Sequence, residues 1–322
     1  MSGIDPSGNL WFFGGMGYAG GYFGYHNDLW KCNPATLEWT WISGTYMANQ
    51  VGIYGTKGAA GPSNIPGGRE GAVFWIDSLG KLWLFGGNGL DGAGNLAYLN
   101  DLWKFDPTTL EWTWISGSNT VRQAGVYGTR GIPDPSNVPG ARSAAVSWLD
   151  SSGKLWLFGG DGFDSANYGG QLNDLWMFDP TTLDWTWVSG SDTVNQTGIY
   201  GTKGTAAPAN VPGARFGALS WLDPSGKLWL FGGGYGNSSF FNDLWKFDTT
   251  TLEWTWVSGS SAVDQAGIYG TKGTAAPSNV PGARVRAVSW VDSQGKLWLF
   301  GGWGYVSAGE FGYFNDLWQY TR

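Results

Sequence analysis

The chain of 322 residues has one histidine, His26, and one cysteine, Cys32. A lone cysteine permits no internal disulfide and says little about compartment. A zinc site of His and Cys ligands lacks material, and a Ser-His-Asp triad would have to use His26, near which no nucleophile elbow occurs. Charged residues make up only 13%, and 18 basic against 25 acidic side chains leave a net charge of -7. A phosphate backbone therefore has no electrostatic reason to bind, which argues against nucleic acid as a partner. No apolar run reaches 18 residues, so no helical membrane span is expected. The N-terminus, MSGIDPSGNLWFF, has neither a basic stretch nor an apolar core of signal-peptide length. Localisation stays unknown, and an extracellular or cell-surface parent protein is compatible with the sequence. No cofactor is implied.

What is abundant is glycine, 55 residues, and tryptophan, 23 residues, in a chain 42% hydrophobic and 17% aromatic. Collagen is excluded because the glycines follow no three-residue period. Disorder is excluded because there is ample surface to bury. Little Lys and Glu argues against long solvent-facing helices and suits short strands joined by tight turns.

Internal repeats organise this composition. The tetrapeptide NDLW begins at Asn27, Asn100, Asn173, Asn242 and Asn315, at spacings of 73, 73, 69 and 73 residues. A Gly-Gly pair begins at Gly14, Gly86, Gly159, Gly232 and Gly301, closing apolar runs such as KLWLF, and WTW recurs from Trp39, Trp112, Trp185 and Trp254. A long insert then leads to a single arginine, Arg69, Arg142, Arg215 or Arg284. Each unit reads as four strands; in the third they are AAVSWL from Ala144, KLWLF from Lys154, DLWMF from Asp174 and DWTWV from Asp184. The second is apolar on both faces, as in a strand sandwiched between sheets, and the fourth alternates with period two. Tandem antiparallel four-stranded sheets with glycine and aromatic signatures are what an all-β β-propeller needs.

These landmarks, in this order and register over nearly the whole chain, resemble the kelch repeat of the galactose-oxidase-like propellers. The units depart from it in length, about 73 residues against a usual ~50, the excess lying in the inserts, as in bacterial examples. The expected blades are 1–44, 69–117, 142–190, 215–259 and 284–322, within a single domain. Five second and third strands but four full first and fourth strands make five blades the simplest count. It leaves one terminal blade short of its first strand and the other of its fourth, with edges open to self-association. Two other closures stay open. The strand from Arg286 to Val291 could complete the first blade, or the chain could be part of a longer propeller.

Alternating strand direction places the inserts and the second-to-third loops on one face, and loops on a rigid scaffold concentrate binding residues. The inserts are nearly uniform, with GIYGTKG at Gly52, Gly198 and Gly267 and GVYGTRG at Gly125, which suggests that each packs alike on its own blade. The second-to-third loops diverge and are rich in Tyr, Phe, Gly, Asn and Ser, a composition of recognition surfaces. The candidates are Tyr18, Tyr22, Phe23, Tyr25, Tyr98, Tyr168, Tyr235, Phe240, Trp303, Tyr305 and Tyr313, whose rings could stack on sugars. Asp91, Asp161, Asp164, Asn237 and Glu310 could take hydroxyls. Arg69, Arg142, Arg215 and Arg284 could hold a carboxylate or sulfate, although the resemblance implies that they belong to the ordinary repeat pattern. Glu70 and Arg286 break the repeat.

The resemblance also implies an enzyme reading. Galactose-oxidase-like proteins hold copper with two tyrosines and two histidines, which one histidine cannot supply, and the Glu-Asp-His motif of iron-using specifier proteins is absent. DGFDSAN from Asp161 offers carboxylates but lacks EF-hand spacing. The reading that results is a non-catalytic binding module, for glycans first. A protein-binding or adhesion scaffold is the alternative, and a carbohydrate-active enzyme without a transition metal the third.

Overall fold

The computed structural model describes residues 1–19, 21–307 and 309–320. Gly20 and Ala308, in the first and last second-to-third loops, and Thr321 and Arg322 of the last blade lie outside the described residues. Among the described residues there is no helix, so none is long and apolar enough to cross a membrane. The chain packs as two compact units. One is Met1–Ala145 with Asp161–Gly169 and Phe178–Thr186, and the other is Val146–Gly160 with Gly170–Met177 and Trp187–Arg322.

In the first unit, repeat 1 forms a sheet in the order Ser2–Ile4, Leu10–Ala19, Tyr22–Asn33, Glu38–Ser43. The sequence reading left this blade without a first strand. Ser2–Ile4 supplies it, because the three residues before the Asp5 turn pair with Leu10, Trp11 and Phe12. Repeat 2 contributes Val73–Ile76, Leu82–Leu90, Leu96–Asp106 and Glu111–Ser116. In the second unit, repeat 4 contributes Leu219–Leu222, Leu228–Phe231, Leu244–Asp248 and Glu253–Ser258, and repeat 5 three strands, Val288–Val291, Leu297–Phe300 and Leu317–Tyr320. Val288–Val291 pairs with Leu297–Phe300 of its own repeat and so does not complete the first blade. The boundary between the units runs through repeat 3.

Local chemistry explains each hairpin. Between the first and second strands an aspartate folds the turn. Asp77 Oδ1 accepts from the Leu79 and Lys81 amides, and Oδ2 accepts from the Trp83 indole at 2.9 Å. Asp5 and Asp223 do the same for Trp11 and Trp229, so one side chain both sets the turn and anchors the strand that follows. The Gly-Gly pair does not end the second strand in repeats 1 to 3. The ladder passes through it with a register shift between Phe85 and Gly87 and continues to Leu90, so the second-to-third loop is largely a β-hairpin. Gly86 has φ 66°, and a Cβ there would lie 2.8 Å from the Arg142 carbonyl oxygen, so both conformation and space demand glycine.

The buried centre of repeat 2 is the Arg69–Asp101 pair. The guanidinium gives Asp101 two hydrogen bonds, at 2.6 and 2.8 Å, and gives one each to the Gly67 and Gly86 carbonyls. Asp101 also accepts from the Tyr54 hydroxyl and the Trp103 indole, each at 2.7 Å. Burial opposes the Arg69 charge, but Asp101 outweighs it and the guanidinium is held above its ordinary range. The set recurs at Arg215 with Asp243, Tyr200 and Trp245, and at Arg284 with Asp316, Tyr269 and Trp318.

The insert is a strap that lies on the repeat following it. Its tyrosine, Tyr54, sits between Trp103 and Trp114 at ring centroid distances of 4.9 and 5.0 Å. Lys57 lies over the Trp114 ring and donates to the Gly117 carbonyl, Asn64 donates to the Trp112 carbonyl, and Ala60–Gly61 adds a strand to Glu111–Ser116. Tyr200, Lys203, Asn210 and Ala206–Ala207 repeat this on Glu253–Ser258.

Replacing Asp101 with Asn leaves a buried guanidinium without its counter-charge and is expected to cost about 3–5 kcal/mol. Asp316→Asn, whose carboxylate is partly solvated, should cost less, and urea unfolding of the two variants measures the difference. Burial would raise the Asp316 carboxyl, but the hydrogen bonds from Arg284 and Trp318 hold it below the ordinary value of 3.8. Its stabilisation is therefore complete above that value and is lost as pH falls through the depressed folded value. Acid titration of the melting temperature should show this fall, with a shallower slope in Asp316→Asn.

Candidate functional site

Two positions meet along the second-to-third hairpins. One lies two residues before the Asn of NDLW, and the other directly follows the Gly-Gly pair of the next repeat. In the first unit the Asn88 amide donates to the Tyr25 hydroxyl at 3.0 Å, and the Tyr98 hydroxyl donates to Asp161 Oδ2 at 2.5 Å. In the second unit the same two positions give an aromatic contact, Phe240 edge-on to Trp303 at 5.0 Å, with Phe311 and Tyr305 beside them. Predicted residues Tyr25, Tyr98, Asp161, Trp303 and Tyr305 thus occupy seams between successive repeats.

Burial, then the Asp161 hydrogen bond and charge, push the Tyr98 hydroxyl well above its ordinary value, so it stays a protonated donor. Tyr98 and Phe163 meet edge-on at 6.3 Å. With Asn88, Leu96, Ala97 and Arg122 they line an open groove of about 320 Å³.

Arg122 is the residue that sequence reading missed. It stands where the other inserts have Asn49, Asn195 and Asp264, and all four positions are left-handed, with φ between 59° and 63°. Asn49, Asn195 and Asp264 use their side chains to accept from the Tyr25, Gln171 and Phe240 amides, fastening strap to hairpin. Glycine precedes the capped residue in repeats 1 and 3, and a Cβ on Gly24 would fall 2.3 Å from Asn49 Oδ1. Ala97 carries that Cβ in repeat 2. Arg122 keeps only the backbone bond to the Tyr98 carbonyl, at 2.9 Å. Its exposed guanidinium has no hydrogen bond or ion pair among the described residues. A long side chain in left-handed backbone costs of the order of 1 kcal/mol. The signal was a single column of an otherwise uniform insert.

The remaining candidates are placed elsewhere. Arg69, Arg142, Arg215 and Arg284 are fully buried. In Arg69, Arg215 and Arg284 four of the five N–H donors are spent within the repeat, so the geometry assigns these arginines to holding the blade. Asp91 and Asp164 are buried turn-formers: Asp91 accepts from the Ala93, Asn95 and Val121 amides, and Asp164 from those of Ala166 and Tyr168. Tyr235 packs 6.4 Å from Phe241. Tyr168, Asn237, Glu310 and Tyr313 are exposed, as are Tyr18, Tyr22 and Phe23 on the first hairpin. Arg286 is exposed at φ 56°, and Glu70 pairs across the ladder with Asn88. His26 lies 4.0 Å from Asp28. Among the described residues no three His, Cys, Asp or Glu side chains are placed to hold a metal.

Exchanging Arg122 for Asp copies the Asp264 cap on the Phe240 amide of repeat 4, where Ser239, like Ala97, carries a Cβ. It should raise stability by about 1 kcal/mol, read as a higher melting temperature; an unchanged or lower one would show that Arg122 is unstrained.

Comparison with known proteins follows the same lines. The KLHDC2/KLHL20/DRC7 Kelch-repeats domain matches residues 59–198. Human multiple epidermal growth factor-like domains protein 8 is 28% identical over 192 residues, 59% of this chain and 5% of its own length. The solved structure of YjhT superposes with a TM-score of 0.58 at 16% identity, covering 98% of this chain and 79% of that one. Residues 59–198 match kelch repeats, the same landmarks continue in register through the other repeats, and the fold is that of a kelch-type β-propeller.

Proposed function

We propose that this chain is a non-catalytic binding module and that the groove at Tyr98 takes an acidic glycan. The kelch-repeat match supports a binding or interaction module; the finer reading rests on Arg122. A strained backbone position carries an unpaired guanidinium over a groove that mixes rings with hydrogen-bonding groups. A sugar ring would lay its apolar face on Phe163 and Leu96 and give hydroxyls to Asn88 and the Tyr98–Asp161 pair. Its carboxylate or sulfate would meet Arg122, where a charge-assisted bond is worth about 1.5–3 kcal/mol. A shallow, open site of this kind suits the end or edge of an oligosaccharide.

The first hairpin supports a second reading, a protein partner. Tyr18, Tyr22, Phe23 and Met16 are all exposed near its tip, with Tyr18 and Phe23 packed edge-on at 5.1 Å, and exposed clusters of this type mark interaction sites.

Titration of the protein with neutral and acidic oligosaccharides, followed by tryptophan fluorescence, separates the two. Acidic saccharides should bind, and Arg122→Ala should weaken them at least tenfold, about 1.4 kcal/mol, while leaving the melting temperature intact. If no saccharide binds the native protein, the glycan reading falls. Loss of a captured protein on Tyr18→Ser with Tyr22→Ser would support the second.

A further inference from the structure

Two charged residues of repeat 2 and its strap break their columns of the repeat. Arg122 is one. The other is Glu70, which holds the place taken by Ser143, Phe216 and Val285 in the later repeats. Each of these positions pairs with the residue that follows a Gly-Gly pair: Glu70 with Asn88, Ser143 with Asp161, Phe216 with Gly234 and Val285 with Trp303. Only in repeat 2 does that first position carry a charge.

Register places both charges in one row. Glu70 lies directly across the ladder from Asn88, and Asn88 directly across from Tyr98, so the three side chains share one face of the sheet. The Arg122 amide donates to the Tyr98 carbonyl and adds the strap as a fourth segment. Neighbouring strands lie about 4.8 Å apart, so Glu70 and Arg122 stand up to about 14 Å apart at the backbone, with the groove-lining Asn88 and Tyr98 between them.

The two ends of the row are opposite in sign, and neither is answered within the chain. Glu70 is half-buried and, like Arg122, has no hydrogen bond or ion pair among the described residues. Ser143, whose hydroxyl donates to the Gly71 carbonyl at 3.4 Å, pairs across the ladder with Asp161. The neighbouring repeat thus brings a second carboxylate, not a cation, to this row. Partial burial weakens the hydration of a carboxylate, and a cation supplied from outside would compensate.

We infer that Glu70 is a cation subsite of the groove, and that the ligand is an acidic oligosaccharide with a free amino sugar, its ammonium at Glu70 and its acidic group at Arg122. This rests on the acidic-glycan reading and narrows it. Ammonium is the cation that a glycan carries, and its N–H groups are donors that the Glu70 carboxylate and the Asn88 amide oxygen can accept. The span exceeds a single sugar ring, so the two charges belong to different residues of one oligosaccharide. N-acetylation removes the positive charge, so the subsite selects against N-acetylated glycans.

A tetrasaccharide of alternating glucuronate and glucosamine, prepared in N-acetylated and N-deacetylated forms, tests this by titration calorimetry. The native protein should bind the N-deacetylated form about tenfold more tightly. Glu70→Gln should bring the two forms to equal affinity, and Arg122→Ala should weaken both. Equal affinity of the two forms for the native protein, or a preference that survives in Glu70→Gln, overturns the cation subsite and leaves the acidic-glycan reading in place. If neither form binds, the inference falls; whether the acidic-glycan reading falls with it is decided by the other acidic saccharides. Glu70→Gln should keep the native melting temperature, and a lower one would reveal an internal partner for the carboxylate and overturn the subsite.

Discussion

The buried arginine–aspartate pair ties together segments of a repeat that are far apart in sequence. Arg69 enters just ahead of the first strand, Asp101 opens the third, Gly86 supplies a carbonyl from the second, and Tyr54 reaches in from the strap. Four segments far apart in sequence are tied at one point. A buried ion pair contributes little net stability against an apolar substitute, because both charges leave water. Its value here is register: a bidentate fork on a carboxylate that also holds a phenol and an indole accepts one arrangement of those segments. The same geometry requires glycine at Gly86, since the carbonyl that Arg69 uses is exposed by left-handed backbone that a Cβ would obstruct.

The tryptophans divide into roles that this pairing makes possible. Trp103 donates to the ion pair, Trp83 to its turn aspartate, Trp112 packs on the preceding repeat, and Trp114 receives the strap. The fifth tryptophan of repeat 2, Trp75, stacks on Trp83, and five such roles in repeats 2 to 4 with four tryptophans each in repeats 1 and 5 account for the content of 23.

The repeat period, the four strands and the turn chemistry were legible in the sequence because each rests on local pattern. Alternation marks Glu111–Ser116, and the Asp-x-x-Gly turn marks the first hairpin. The kelch landmarks carried the fold class. What was not legible depends on contacts between repeats. Nothing within GIYGTKG says that its tyrosine will cross to the repeat that follows, and an arginine at the head of a strand reads equally as a ligand or as half of an ion pair until its aspartate is seen. Ser2–Ile4 escaped notice because three residues show no periodicity.

The candidate site was legible in outline and misread in detail for a related reason. Divergence drew attention to the second-to-third hairpins, and Tyr25, Tyr98 and Asp161 do lie on a seam, but part of that divergence is compensation. A hydroxyl facing Asn88, a hydroxyl facing Asp161 and Phe240 facing Trp303 are different solutions to one packing problem. Variation that is matched across a seam needs no ligand to explain it. Arg122 differs in kind. Ala97 carries a Cβ where repeats 1 and 3 have glycine beneath the asparagine cap, but Ser239 carries one beside a working Asp264 cap, so Ala97 does not account for arginine. Glycine, asparagine or aspartate would meet the left-handed backbone at lower cost, and none would leave a positive charge over the groove. The Arg122 guanidinium finds no partner among the described residues, and the proposed acidic ligand rests on that observation.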